Sequence, residues 1–265
     1  MSDRKEWIHE FFGGPQDFYG TVYKTMGVFG KKDPEKEVDG ILQILKPEPN
    51  SHILDWCGGW GRHAIPLAKR GYKVTLLDFS QPYLERAQEY AQREAVEIDL
   101  VCADFRNTPA NIQADYAVNL FTAGLGYMGE SEDILALVAL HHALRPNARI
   151  LIDTMSLFWI VKNWQKSNWD VSSDGTKRYL SQRTFDFRTN TERAVNTFQD
   201  VEAKQEESRE IHLHLYAPAD LRRVLVSAGF IPEKLFGGLD GSEFTLDSKR
   251  VVMSALRSED QLSKE

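Results

Sequence analysis

A chain of 265 residues that is 42 % hydrophobic can bury one sizeable core, which suits one domain or one domain with an embellishment. Against 32 lysines and arginines stand 39 acidic residues, a formal charge of −7, which argues against nucleic-acid or anionic-membrane partners because both draw binding energy from basic surface. Two cysteines, Cys57 and Cys102, make no disulfide framework or metal site, and no apolar run approaches a membrane span, so a cytoplasmic protein of small-molecule chemistry is expected.

Residues 1–50 read as a helical, aromatic-rich cap. Within it the pattern Glu35–Leu45 sets Val38, Ile41, Leu42 and Leu45 on one helix face. Tyr19 and Tyr23 are candidates for a lid over a bound ligand, since aromatic faces suit a planar or cationic group. From Ser51 the chain alternates strand and helix. Strand 52–55 leads to helix 62–70, strand 72–78 to helix 80–94 capped by Ser80, and strand 97–102 to a turn at Asp104. Strand 116–121, the loop Gly124-Leu-Gly126, helix 131–144 and strand 149–154 follow.

This rhythm predicts an α/β fold, a doubly wound, mostly parallel, Rossmann-like sheet of seven strands, closed by an antiparallel hairpin from strands 231–236 and 249–256. The core is expected over 51–154 and 216–257 of a single domain spanning 1–265. Residues 155–215 interrupt it with polar, strand-like runs that predict an inserted antiparallel β meander, either a lid or an oligomer contact, with a homodimer as the simplest assembly.

Ligands in such sheets bind beyond the carboxyl ends of the strands, where Asp55, Asp78, Asp104, Asn119 to Phe121 and Asp153 gather more polarity than packing requires. Glycines 58, 59 and 61 follow the first strand, and the helix after them points unpaired N–H groups into the same space. Asp78 ends the second strand, where such folds hold ribose hydroxyls. Asp55 before the turn would repel a pyrophosphate and face a cation. No nucleophile triad or metal cluster stands out. His212, His214 and Tyr127 are candidate proton-transfer groups, and Tyr127 and Trp159 candidate acceptor contacts.

Ile53-Leu-Asp-Trp-Cys-Gly-Gly-Trp-Gly-Arg-His-Ala, Leu76-Leu-Asp78-Phe-Ser, Cys102-Ala-Asp104-Phe-Arg and Asn119-Leu-Phe-Thr resemble the successive motifs of class I S-adenosylmethionine-dependent methyltransferases, in a bacterial small-molecule branch. The resemblance covers residues 4–154 and 212–257. It implies S-adenosylmethionine as cofactor, with Gly58, Gly59 and Gly61 at its methionine portion, Asp78 on the ribose and Phe79 against the adenine. Asp104 would accept from the exocyclic amine, the Phe105 amide would face a ring nitrogen, and the Asn119 to Phe121 segment would face the methyl. The implied reaction is methyl transfer to N or O of a small acceptor. A nicotinamide-dependent oxidoreductase and a cofactor-binding, non-catalytic subunit are the alternatives. Cys57 stands where the family's first loop glycine usually lies, and the loop keeps its form provided that Cys57 needs no positive φ.

Overall fold

A computed structural model describes residues 8, 10–13, 17–26 and 33–259. These group into two compact units. The larger comprises Asp33–Lys162 and the chain from Tyr216 onward; the smaller comprises Asn163–Leu215 with the described residues before Asp33.

In the larger unit helix α2 (Pro34–Leu45) starts where Asp33 accepts the N–H groups of Glu35 and Lys36, with Pro34 in a position that needs no donor. Strands β1 (His52–Trp56), β2 (Lys73–Asp78), β3 (Asp99–Cys102), β4 (Ala114–Asn119) and β5 (Leu144–Met155) are parallel, β11 (Arg250–Arg257) runs antiparallel to β5, and β10 (Phe230–Phe236), antiparallel to β11, again shares the sense of the first five. The order is β10-β11-β5-β4-β1-β2-β3, so the sense of winding reverses between β1 and β4. Every residue of β1 is buried because helices cover both faces. Leu54 and Trp56 join one cluster with Leu137 and Leu140 of α5 (Glu130–Ala143) and Leu221 of α7 (Pro218–Ser227). Ile53 joins the other with Val38 and Ile41 of α2, Leu67 of α3 (Ala64–Lys69) and Leu84 of α4 (Gln81–Arg93). Among the described residues no helix is long and apolar enough to cross a membrane.

The smaller unit holds a four-stranded antiparallel sheet, β6 (Ser167–Val171), β7 (Lys177–Asp186), β8 (Thr191–Asp200) and β9 (Gln205–His214). Sequence periodicity indicates only the last three strands. Strand β6 is an edge strand, almost wholly exposed, and so lacks the apolar alternation that marks a half-buried one. Helix α1 (Phe18–Met26) sets Phe18 and Val22 with Phe11 against Tyr179, Phe198 and Ile211 of that sheet. Helix α6 (Leu157–Lys162) belongs to the larger unit, where Ser156 N–H bonds Lys249 O.

Gly40 lets α2 meet the hairpin loop between β10 and β11, for a Cβ there would stand 2.0 Å from the Leu239 carbonyl oxygen. Alanine's better helix propensity, about 1 kcal/mol over glycine, is smaller than the overpacking it would cause. Gly40→Ala is therefore expected to lower unfolding free energy by about 1–3 kcal/mol in urea denaturation.

Candidate functional site

The turn after β1 is built around Asp55, whose carboxylate is buried and accepts the backbone N–H of Ala64 at the start of α3. A Cβ on Gly58 would lie 2.6 Å from its carboxyl carbon, so only glycine fits beneath it. Burial raises the Asp55 pKa, opposed by the nearby His63 and Arg62. Its Oδ2 is buried and meets no hydrogen-bond partner among the described residues. Glu37 of α2 takes up the two neighbouring basic groups, meeting His63 Nε2 at 2.9 Å and Arg62 Nη2 at 2.6 Å.

Cys57 does adopt a positive φ, 64°, followed by Gly59 at 59° and Gly61 at 80°. The condition set on the sequence is therefore not met, yet the turn forms: Cys57 takes the conformation that glycine takes cheaply, at a strain of about 1–2 kcal/mol. Gly124 accommodates it, since a Cβ there would come within 2.8 Å of Cys57 Sγ. Burial, with the carboxylates of Asp78 and Asp55 nearby, pushes the thiol well above its ordinary range, so the sulfur packs as a neutral group rather than acting as a nucleophile.

Asp78 ties this turn to the next helix. Its Oδ2 accepts the Gly59 N–H at 2.9 Å and its Oδ1 the Ser80 N–H at 2.9 Å, while Ser80 Oγ caps α4 by accepting from Tyr83 N–H at 3.3 Å. Each carboxylate oxygen keeps acceptor capacity for a further donor. Burial pushes the carboxyl up to about 6 despite these bonds. Phe79, next in the chain, is half-buried. Asp104 starts a single 3-10 turn, Phe105–Asn107, and accepts from Arg106 N and Nε, each at 2.9 Å. Arg106 Nη2 also pairs with it, so any ligand amine shares that carboxylate with a guanidinium. The Phe105 ring is core, 5.5 Å from Trp56, whose indole N–H donates to Thr108 Oγ1 at 2.8 Å.

At the end of β4 the Asn119 amide donates to Trp56 O at 2.9 Å and Ala123 O at 2.8 Å, and its buried Oδ1 meets no partner among the described residues. Phe121 and Thr122 follow with φ of 65° and 61°. Asp153 at the end of β5 holds this strained turn, its Oδ2 accepting from Phe121 N–H and its carbonyl from Thr122 N–H, each at 2.9 Å. Arg250 of β11 secures Asp153 in turn, with Nε 2.6 Å from Oδ1. The Phe121 ring carries the Arg62 guanidinium at 5.8 Å and that of Arg250 at 5.4 Å.

Residues 53–147, the stretch that contains all these turns up to the start of β5, match a family model described as a methyltransferase domain. This stretch is a methyltransferase domain. The fold agrees, for an S-adenosylmethionine-dependent methyltransferase from Clostridium acetobutylicum superposes with a TM-score of 0.77 at 15 % identity, over 92 % of this chain and 99 % of that one. An amino pentose methyltransferase from Micromonospora echinaspora gives 0.67 at 19 % identity, over 91 % and 97 %. A curated relative, the tRNA 5-carboxymethoxyuridine methyltransferase of Escherichia coli (strain K12), is 28 % identical over 149 residues, which are 55 % of this chain and 54 % of that protein. The chain spans about half the length of that relative. A methyltransferase domain over this stretch stands against the nicotinamide alternative.

The remaining sequence candidates lie as follows. Within the methyltransferase domain's unit Tyr127 is half-buried just after Gly126, and Trp159 on α6 is half-buried with Lys249 Nζ 5.5 Å from its ring centre. His212 and His214 stand on β9 of the smaller unit. His212 is exposed, with Nε2 2.7 Å from Glu210 Oε1, and His214 Nδ1 lies 2.7 Å from Thr189 O. Tyr19 is half-buried 6.0 Å from Phe11 and 5.1 Å from Phe12, and the Tyr23 side chain lies outside the described residues. Sequence reasoning missed Arg250 and Glu37, whose roles rest on pairing across the fold, and Asp133, which reads as one more acid in a helix's first turn.

Because a ribose that donates to Asp78 favours its ionised form, ligand binding lowers that pKa, and affinity is full above pH 6 and falls on acidification. Calorimetric titration of S-adenosylhomocysteine is expected to show a loss of up to about tenfold per pH unit below 6, and Asp78→Ala a loss of about 1–3 kcal/mol at pH 7.5. Gly124→Ala is expected to cost about 1–3 kcal/mol of stability, and Cys57→Gly in the same chain to restore part of it, read as a coupling energy in a double-mutant cycle.

Proposed function

We propose that this chain transfers a methyl group from S-adenosylmethionine to a nitrogen of a small amine acceptor. The observation that carries the cofactor's place is Asp55, a buried carboxylate with an unspent oxygen beside a glycine turn, next to an Asp78 that fastens the same turn. In this reading Asp55 faces the cationic end of the methionine portion, Gly59 and Gly61 admit it closely, Asp78 accepts from the ribose, and Phe79 lies along the adenine. Negative charge held out of water attracts a cation several-fold more strongly than the same charge in bulk solvent.

S-adenosylmethionine supplies a methyl already activated as a sulfonium substituent. What is asked of the protein is placement and exclusion of water. A hydroxyl acceptor also needs a base, whereas an amine need only arrive neutral. Near the glycine turn, among the described residues, the imidazole at hand is His63, and it is committed to Glu37. Asp55 and Asp78 at the rim favour an amine over an acidic acceptor, while Asp104 and Asp153 are already paired with Arg106 and Arg250. The amino pentose acceptor named for the Micromonospora echinaspora protein supports the same choice. The tRNA substrate named for the Escherichia coli relative favours a second reading, a nucleic-acid acceptor, against which stands the formal charge of −7.

The test is incubation of the protein with methyl-labelled S-adenosylmethionine and separate panels of small amines and amino sugars, phenols, carboxylic acids and bulk tRNA. Label is expected in the amine panel. Label confined to tRNA, or to phenols or acids, would overturn the proposal, and cofactor binding with no transfer to any acceptor would favour the non-catalytic subunit.

A further inference from the structure

The 124–126 loop follows the strained turn at the end of β4 and leads into Tyr127, the candidate acceptor contact. Its anchor is one buried carboxyl group. Asp133, in the first turn of α5, is fully buried, and its Oδ2 accepts both the Gly126 N–H at 2.8 Å and the Tyr216 hydroxyl at 2.6 Å. Tyr216 is 1 % exposed and sits in the apolar cluster that holds Leu125 and Leu137. It is also the residue at which the chain returns to this unit from the four-stranded sheet. The Asp133 Oδ1 is buried and meets no hydrogen-bond partner among the described residues.

A carboxyl group in such surroundings is expensive, and α5 has no need of it, since Glu130 and Glu132 already place negative charge at its positive end. We propose that Asp133 is a positioning residue, a latch that holds the acceptor-side glycine loop to the domain through Gly126 and Tyr216. Its purpose, though not its geometry, rests on the methyl-transfer reading. The loop it holds also packs over the cofactor turn, because Gly124 leaves space for Cys57 Sγ.

The groups that face the latch are few. Glu130 and Glu132 share its helix, and each is drawn away by a guanidinium, Glu130 by Arg223 of α7 and Glu132 by Arg106 of the 3-10 turn. Tyr216 donates to it from the start of the α7 segment, and Cys57 feels its charge from the end of β1. Burial pushes the Asp133 carboxyl up to about 7 in the latched loop, against the pull of its two hydrogen bonds. An opened loop returns it to water and to the ordinary carboxylate range. Protons therefore bind the latched form more tightly, so latching loosens as pH rises from the ordinary carboxylate range to about 7, where both forms are ionised and the dependence ends.

Hydrogen exchange of the whole, ligand-free protein tests this. Protection of the 122–128 segment, corrected for intrinsic exchange rates, is expected to fall by up to about tenfold per pH unit as pH rises toward 7 and to level off above it. Asp133→Asn should keep the segment protected at every pH, and Tyr216→Phe should move upward the pH at which the fall ends, by removing a bond that favours the ionised form. Protection independent of pH in the parent protein, or an inflection that persists in Asp133→Asn, would overturn the latch. Should Asp133→Asn fail to fold, the direction of the Tyr216→Phe shift decides, and an upper limit of the fall that stays or moves down counts against the proposal. S-adenosylhomocysteine titrated into the same samples separates the two readings: no binding by the parent protein overturns the methyl-transfer proposal and leaves the exchange result to judge the latch.

Discussion

The bridge made by Asp78 is the constraint on which the glycine-turn edge of the sheet depends. One carboxylate accepts from the N–H of the glycine turn after β1 and from the N–H that opens the helix after β2, so the ends of two neighbouring strands are set by a single side chain. The group is poorly placed for stability. A carboxyl whose pKa rises from 3.8 to about 6 contributes stability only at low pH, lost as pH climbs through 6, and at neutral pH its ionised form burdens the ligand-free fold by on the order of 3 kcal/mol. A ligand that donates to it relieves that burden, which is a physical reason to keep an acid there.

Strain gathers at the same edge. Cys57, Phe121 and Thr122 hold left-handed backbone without being glycine, at the ends of the two strands where the winding reverses. Each such residue costs about 1–3 kcal/mol and persists only where its surroundings over-determine it. Around Phe121 and Thr122 the determinants are Asp153 and Arg250; around Cys57 the missing Cβ of Gly124 provides the room.

Much of this was legible in the sequence, for local reasons. Strand, glycine turn and helix announce themselves by apolar runs and punctuation, and Asp55 and Asp78 stand out because a carboxylate ending a buried strand is costly unless used. The closing hairpin is read the same way. What was not legible depends on tertiary pairing or on exposure. The edge strand Ser167–Val171 is too polar to show a period, and Arg250 looks like any strand-end arginine until β11 lies beside β5. Asp133 sits among Glu130 and Glu132 as an ordinary helix-start acid, and only packing shows that it points inward while they point to guanidinium groups. The left-handed Cys57 is the sharpest case, since residue type argued against the conformation that the turn imposes.

The ion pair between Asp153 and Arg250 joins residues 97 apart in the chain. During synthesis from the N-terminus the glycine turn, β2 and β4 are made early, yet the turn at Phe121 has its last support only when β11 emerges and docks against β5. This strained edge thus gains its last support late, although most of its residues leave the ribosome before the strand that secures it.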